Sequence, residues 1–305
     1  MYRNKVDIVS GDVAEGCGEP DIVISTRLGG GASGEVWRGT CSGDSRTVAV
    51  KIMTDSNVGG GSKVAVLVAQ LVKDFAPEAI RCCILRGHEC LIFPVYAMDL
   101  RRVLSTGYLL PFPSEQSMSI IWQLLSGVYY LHEIGITHAD IKPENILLVD
   151  GKTVDISRLQ DDGTFENKMV LKSCEIKIGD LDDTRLPRQK AYYPAGSDCY
   201  RSPEILAGVE WTNKVDIFSV GCVTYELLAG RLLFPEQKDS KVKDPFIGQS
   251  TQDGNVNVSP WVGISERTGV SFIKAATTRN YKRRPSALAL LHHKYFGELA
   301  GIYKD

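Results

Sequence analysis

The sequence predicts an α+β fold of two lobes, a small β-rich N-terminal lobe with one main helix and a larger, mostly helical C-terminal lobe. Three observations predict it. The 305 residues are enough for two lobes with separate hydrophobic cores. Short apolar runs of strand type, such as 48–50 and 90–93, mark the first third of the chain. Further on, segments such as 120–132 have the apolar spacing of helices.

The same patterns predict the boundaries of the lobes. The main N-lobe helix should begin near Ser62, after the flexible glycines 59–61, and continue through Lys73. We predict a leading tail or extra strand at 1–21, an N-lobe at 22–95, a C-lobe at 98–296 with an insertion at 152–175, and a C-terminal tail at 297–305.

Composition narrows the function classes. The net charge of −2 gives no support to nucleic-acid or membrane-surface binding through a global basic field. No apolar run is long enough to span a bilayer, and no signal peptide is recognised. Eight cysteines without a C-x-x-C pair favour a reduced, intracellular protein, cytoplasmic or nuclear. His292 and His293 are interpreted as helix-surface residues rather than metal ligands.

The octet His-Ala-Asp-Ile-Lys-Pro-Glu-Asn at 138–145 is the most informative stretch. It lies between a helix-type and a strand-type segment, so it is a loop, where catalytic residues tend to lie. Asp140, Lys142 and Asn145 have the spacing needed to hold a hydroxyl nucleophile, a departing phosphoryl group and a magnesium ion together.

Two upstream features and one downstream feature accompany this loop. The glycine-rich segment 28–36 fits G-x-G-x-x-G-x-V, in which small residues let backbone N–H groups approach phosphates. Val48-Ala49-Val50-Lys51 is a strand-type run that ends in a lysine. Downstream, the run 176–178 leads to Asp180. Each feature alone has an ordinary structural explanation, but their order and spacing favour one shared function.

The remaining motifs complete the order. Tyr-Arg-Ser-Pro-Glu ends at Glu204, Asp216 opens an apolar helix, and Arg284 is placed to pair with Glu204. Six elements in this order resemble the eukaryotic protein kinases over 22–296. The resemblance implies a bilobal kinase fold that uses ATP and Mg²⁺ to transfer the γ-phosphoryl group to a protein hydroxyl.

The resemblance also implies a role for each motif residue. Asp140 would orient the substrate hydroxyl and accept its proton, while Lys142 and Lys51 would stabilise phosphate charge. Asn145 and Asp180 would bind Mg²⁺. Phe93 would take the gatekeeper position, and Asp216 would bond the catalytic-loop backbone. The nucleotide itself would lie against Leu28, Gly29, Gly31, Gly34, Val36, Ala49, Lys51, Pro94, Tyr96 and Leu147.

The subfamily can be narrowed. A lysine two residues after the catalytic aspartate resembles serine/threonine kinases more than tyrosine kinases. The segments 200–206 and 221–235 resemble the CMGC group, and the octet resembles its SR-protein, LAMMER and DYRK-like kinases. That resemblance implies a protein substrate, with arginine-serine tracts as the finer expectation. The polar insertion is either a solvated surface loop or a docking element.

Ala139 departs from the family pattern, which has an arginine there to bind an activation-loop phosphate. Without that cation, phosphorylation of Ser197, Tyr192 or Tyr193 has no obvious partner with which to order the loop. We therefore predict an enzyme that does not need loop phosphorylation.

Two further departures concern Lys51. Its expected helix glutamate is missing, because no glutamate lies between Ile52 and Pro77, and the usual position falls near Leu67. The polar substitutes there are Gln70 and Asp74. Asp182 replaces a glycine and could pair with Lys51 instead. These departures keep open an alternative, a pseudokinase that acts as a nucleotide-binding or scaffolding module.

Overall fold

The computed structural model describes residues 7–14, 21–30, 34–53, 61–107, 109–110, 112–159, 163–181, 184–185, 195–234 and 267–297. They fall into two compact units. The first comprises the described residues within 1–96 together with 179–181, and the second those within 97–178 and 184–297.

The first unit is a six-stranded antiparallel sheet with one helix. Its strand order is β1-β2-β3-β4-β6-β5. The elements are β1 Val13–Ala14, β2 Ile22–Gly30, β3 Gly34–Cys41, β4 Thr47–Met53, α1 Gly61–Leu71, β5 Arg81–Leu85 and β6 His88–Pro94. Alternate residues of β4 are buried, as expected when one face of a strand packs on a core. Val48, Val50 and Ile52 supply that face.

The start of the chain adds to this sheet. β1 pairs with β2 in the register Val13 to Val23, and Ile8 is buried in the same core. Arg86 at the β5–β6 turn donates to Asp12 at 2.7 Å and so fastens this segment to the hairpin. The stretch that we predicted as a tail or an extra strand therefore contains a strand.

The second unit is mostly helical. Its elements are β7 Met98–Asp99, α2 Leu100–Thr106, α3 Ser114–Glu133, β8 Ile146–Leu148, β9 Thr153–Leu159, β10 Phe165–Leu171, β11 Ile176–Ile178, α4 Pro203–Leu206, α5 Lys214–Ala229, α6 Arg267–Ala276 and α7 Ala287–Leu291. β7, β8 and β11 form a small sheet in the order β11-β8-β7.

Helix α5 lies at the centre of this unit. Every residue from Val215 to Leu228 is buried, and apolar side chains occur on all faces of α5. It ends at Gly230, whose φ of 66° is the left-handed conformation that glycine adopts without a steric cost. A buried helix of this kind gives the loops around it a rigid support.

The insertion 152–175, for which the sequence left open a solvated surface loop and a docking element, contains a β-hairpin. β9 and β10 pair along their whole lengths as an antiparallel hairpin, from Thr153 opposite Leu171 to Leu159 opposite Phe165. Leu171 is buried and its backbone bonds Gln116 of α3, so the base of the hairpin is anchored. Phe165, near the far end, is 70% exposed.

The predicted α+β class is confirmed, with a β-rich unit carrying one helix and a larger helical unit. Helix α1 begins one residue before the predicted Ser62 and ends two residues before Lys73. In the described ranges, none of the helices has both the length and the apolarity needed to cross a bilayer.

Candidate active site

The catalytic loop of the second unit is held by one buried carboxylate. Asp216, in the first turn of α5, accepts from the backbone N–H of His138 at 2.9 Å and from that of Ala139 at 2.8 Å. The same carboxylate contacts His132 Nε2 at 2.9 Å. Ala139 has a φ of 68°, which an L-residue adopts at a cost and which these bonds help to maintain. The predicted bond from Asp216 to the loop backbone is confirmed.

Both oxygens of the Asp140 carboxylate have partners. Oδ2 accepts from Lys142 Nζ at 2.6 Å and from Asn145 Nδ2 at 3.2 Å. Oδ1 accepts from Ser197 Oγ at 3.0 Å. Asn145 Nδ2 also bonds the backbone oxygen of Asp140 at 2.8 Å. The structure therefore brings together the three loop residues that the octet predicted.

Ser197 is a site residue whose role the sequence analysis missed. We treated it as a candidate phosphate acceptor, but its hydroxyl accepts from Lys142 Nζ at 2.9 Å while donating to Asp140. It is 57 residues away from Asp140 along the chain. Local spacing in the sequence carries no signal for such a contact.

Glu204 and Arg284 form the predicted pair. Two hydrogen bonds of 2.7 and 3.0 Å join the guanidinium to the carboxylate, and both side chains are buried. Arg284 also donates to the backbone oxygen of Lys214 at the start of α5. The bidentate pair thereby ties the segment after Ser197 to the same helix that supports the catalytic loop.

Ala139 lies in an apolar cluster with Ile205, Trp211 and Val215, and Ala195 packs against it. The place at which the general kinase pattern predicts an arginine is thus filled by apolar side chains. Such a surface offers no cation for a phosphate.

An arginine elsewhere holds this end of the segment. Arg201 donates from Nε to the Ala195 oxygen at 2.9 Å and from Nη2 to the Gly196 oxygen. Gly196 has a φ of 74°, and a Cβ there would come within 2.9 Å of the Ala139 oxygen. The Arg201 side chain therefore holds the backbone of residues 195–196. Tyr192 and Tyr193 lie outside the described residues.

Lys51 of the first unit is paired with Asp180. The Nζ to Oδ1 distance is 2.6 Å, and the two side chains are 12% and 27% exposed. Asp180 has a φ of 61°, an uncommon conformation outside glycine that often marks functional sites. We had assigned Asp180 to magnesium and had considered Asp182 as the lysine's partner. Asp182 lies outside the described residues.

The helix position expected to supply a glutamate does not face the interior. Leu67 is 57% exposed, whereas its neighbours Val68 and Ala69 are buried. Gln70 and Asp74, the other polar candidates, are exposed as well. The ion pair seen for Lys51 therefore involves a carboxylate from outside α1.

The predicted nucleotide residues of β3 and β4 share one face of the sheet. Val36 is paired with Lys51, and Ala49 is paired with Phe93 of β6. These side chains are half-buried and lie on the face opposite to the core residues Val48, Val50 and Ile52. A half-buried apolar face that carries a lysine suits a planar base attached to phosphates.

The glycine-rich segment is described in part. Leu28 is 45% exposed, and a Cβ at Gly29 would meet no atom within 4 Å. A Cβ at Gly34 would lie 2.3 Å from the backbone oxygen of Ile52, so the approach of β3 to β4 already requires this glycine. Gly31 lies outside the described residues.

The last three predicted nucleotide residues are divided between the two units. Pro94 ends β6, and Tyr96 follows it within the first unit. Leu147 belongs to the second unit, where it is half-buried on β8 opposite Lys177 and Asp99. Their predicted contacts with a base remain predictions.

Comparison with known proteins agrees with this geometry. The family model for the protein kinase domain matches residues 22–296. The chain belongs to the protein kinase domain family. Relatives include the probable dual specificity protein kinase madd-3 of Caenorhabditis elegans, 31% identical over 70% of the chain, and the serine/threonine-protein kinase AFC2 of Arabidopsis thaliana, 38% identical over 49%.

Two further comparisons extend the result. The human dual specificity protein kinase CLK4 is 28% identical over 76% of this kinase domain. The chain covers 24%, 36% and 48% of madd-3, AFC2 and CLK4, so it spans less than half of each. A crystallised kinase domain superposes with a TM-score of 0.74 at 20% identity, covering 90% of this chain and 94% of its own. The relatives confirm the predicted resemblance to a divergent CMGC kinase.

The kinase family implies ATP and usually Mg²⁺, and each unit by itself carries a side chain of a type that binds Mg²⁺. Asn145 directs its amide nitrogen to Asp140, and its amide oxygen is a ligand type that Mg²⁺ accepts. Asp180 supplies a carboxylate. No cluster of three or more His, Cys, Asp or Glu side chains suited to a metal is found in the described ranges.

Proposed function

We propose that this kinase domain transfers the γ-phosphoryl group of ATP to a serine or threonine hydroxyl of a protein. The observation that carries the proposal is the Asp140 carboxylate, held on one oxygen by Lys142 and Asn145 and on the other by Ser197. A base fixed in this way needs little reorganisation to accept a proton, and preorganisation of this kind lowers the barrier.

Each residue has a distinct part in the proposed mechanism. Asp140 orients the substrate hydroxyl and accepts its proton at a carboxylate oxygen. Lys142, 2.6 Å from Asp140, neutralises charge that develops on the transferred group. Lys51 binds the α- and β-phosphates, while Asn145 and Asp180 hold the metal. Bound Mg²⁺ would supply charge neutralisation on the β- and γ-oxygens.

The ion pair between Lys51 and Asp180 bears directly on this mechanism. Lys51 must exchange part of its bond to Asp180 for phosphate oxygens when ATP binds. The carboxylate that replaces the helix glutamate as the partner of Lys51 is also the proposed metal ligand. We therefore propose that ATP and Mg²⁺ bind to this unit together rather than independently.

A direct test is phosphate transfer from ATP–Mg²⁺ to a generic basic protein, with Asp140→Asn alongside. Transfer by the wild type that the variant lacks supports the kinase. Equal signals from the two proteins would overturn the proposal and leave a pseudokinase, a scaffold that binds nucleotide without turnover.

The finer substrate class, arginine-serine-rich proteins, is part of the proposal. It rests on the octet and on relatives whose names describe serine/threonine and dual specificity kinases. The ratio of kcat/KM for an arginine-serine peptide and for its lysine-serine counterpart measures this preference. A ratio near one would remove this part of the proposal and leave transfer itself intact.

Activity without loop phosphorylation and an intracellular location complete the proposal. Arg201 bonds the backbone of residues 195–196, which supports the first. Phosphatase treatment should leave turnover unchanged, and loss of turnover would contradict activity without loop phosphorylation.

Seven cysteines in the described ranges are free thiols, which supports an intracellular location.

A further inference from the structure

Two cysteines of the first unit lie directly opposite each other on neighbouring strands. β5 and β6 are joined by a tight turn at 86–87, where Arg86 has a φ of 50° and Gly87 a φ of 83°. Positive φ at both positions is typical of a type I′ turn, which fixes the register of the strands that it joins. In this register Cys83 of β5 is paired with Cys90 of β6. The turn therefore places two thiols side by side.

The Cys83 and Cys90 side chains share one face of the sheet and belong to the core of the first unit. Cys83 is 5% exposed and Cys90 is 1% exposed. Opposed residues of an antiparallel pair have Cα atoms about 4.5–5.5 Å apart, within the range of about 4.4–6.8 Å that a disulfide accepts. A bond between the two sulfur atoms therefore requires rotation of the side chains and little movement of the backbone.

A hydrogen bond between the two thiols makes them chemically unequal. The bond that Cys90 donates lowers the pKa of the Cys83 thiol, and this bond together with burial raises the pKa of the Cys90 thiol. Burial raises the pKa of Cys174 to about 11 and that of Cys222 well above its usual range. The thiolate, rather than the thiol, is the nucleophile. Cys83 is therefore the member of the pair that attacks an oxidant.

The edge of the sheet gives an oxidant access to Cys83. β5 lies at the end of the strand order, whereas β6 is paired with both β4 and β5. Strands open locally at free energies below that of global unfolding, and opening an edge strand breaks fewer ladder bonds than opening a central one. Local opening of β5 thus exposes Cys83 while β4 still holds β6 and its Cys90.

We propose that Cys83 and Cys90 are a reversible oxidation site, at which a peroxide converts the two thiols into a disulfide. The Cys83 thiolate attacks a peroxide oxygen, so that an S–O bond forms as the O–O bond breaks. For hydrogen peroxide the products are a sulfenic acid on Cys83 and a hydroxide that takes up a proton. The Cys90 sulfur then attacks the Cys83 sulfur and loses its proton, and the hydroxyl group leaves as water. Two electrons pass from the thiols to the peroxide, and a thiol reductant reverses the change.

The test treats the folded chain with hydrogen peroxide, alkylates the remaining thiols and identifies linked fragments by mass spectrometry after digestion with trypsin. Cys82→Ser serves as the parent protein, because Cys82 would lie on the same fragment as Cys83 and its exposed side chain makes the exchange for serine mild. We expect a fragment pair linked through Cys83 and Cys90 that disappears on treatment with dithiothreitol. Cys90→Ser should instead hold a sulfenic acid at Cys83, which dimedone traps.

Hydrogen exchange tests whether the bond forms in the native register. The backbone N–H groups of β5 should exchange more slowly in the oxidised protein, because local opening of β5 would then have to move β6 as well. Exchange at an equal or faster rate would show that the bond forms outside this register and would overturn the proposal.

Recovery of Cys83 and Cys90 as alkylated thiols, or linkage of either one to a different cysteine, would also overturn the proposal. Both results come from the parent protein, so they do not depend on whether variants in the core fold. None of these measurements involves phosphate transfer, so the proposed function stands or falls separately.

Discussion

Lys142 and Lys51 each lie 2.6 Å from an aspartate carboxylate, but the two aspartates have different surroundings. Asp140, the partner of Lys142, belongs to a loop whose backbone is bonded by Asp216. The Asp140 carboxylate itself has three side-chain partners. Asp180, the partner of Lys51, has a positive φ and is itself the expected metal ligand. The loop around Asp140 is thus preformed within one unit, whereas Lys51 would have to change partners to bind a nucleotide as proposed.

This contrast explains how the chain can lack the helix glutamate. A lysine with a buried apolar stem needs a counter-ion in the free protein, and Asp180 provides it. In the proposed mechanism, the same carboxylate would serve both the lysine and the metal. We expect substitutions around Asp140 to lower kcat and substitutions around Lys51 to act mainly through ATP.

The largest effect is expected at the preformed loop. Asp140→Asn keeps the shape of the side chain but removes the proton acceptor, so kcat should fall by about 10³-fold. Steady-state transfer from labelled ATP measures it, and thermal melting checks the fold. Residual kcat above a tenth of the wild-type value would show that Asp140 is not the base.

The second-largest effect is expected at the pair of Lys51 and Asp180. Lys51→Met and Asp180→Asn should each lower kcat/KM for ATP by about 10²-fold, because the first removes a cation at the phosphates and the second removes a proposed metal ligand. Because the two groups act as one pair, the double variant should lose little more than either single variant. Fully multiplicative losses in a double-mutant cycle would contradict their coupling.

The third effect concerns Ser197. Ser197→Ala removes a hydrogen bond to a charged group, worth about 1.5–3 kcal/mol, so kcat should fall by at least about tenfold. Ser197→Thr keeps the hydroxyl and should stay within about threefold of the wild type. Comparable losses in the two variants would indicate that the packing at this position, rather than the hydroxyl alone, matters.

The smallest effect is expected far from both lysines, at the β9–β10 hairpin. Phe165 is 70% exposed, so Phe165→Ser should change the free energy of unfolding by no more than about 0.5 kcal/mol. Turnover of a short peptide should be unchanged. A raised KM for a full-length protein substrate alone would favour the docking interpretation of the hairpin.

Much of the fold and the site was predictable from local patterns. The strand-type run that ends in Lys51, the helical spacing before the loop 138–145 and the order of the motifs predicted a β-rich lobe and a helical lobe. They also predicted which residues, from Lys51 to Asp180, are candidates for the site. The Glu204–Arg284 pair also followed from motif order. The paired hairpin in 152–175 did not, because its polar sequence also suits an irregular surface loop.

The sequence by itself determined which chemical groups this chain carries and in what order. Loops and strand ends that carry such groups are predicted from the spacing of residues within short motifs. Only the tertiary structure decided how they are partnered. Asp180 as the counter-ion of Lys51 and Ser197 on the base join residues 129 and 57 positions apart. Such contacts depend on how helices, strands and loops pack around buried charges. Burial is a property of the assembled fold rather than of any local stretch.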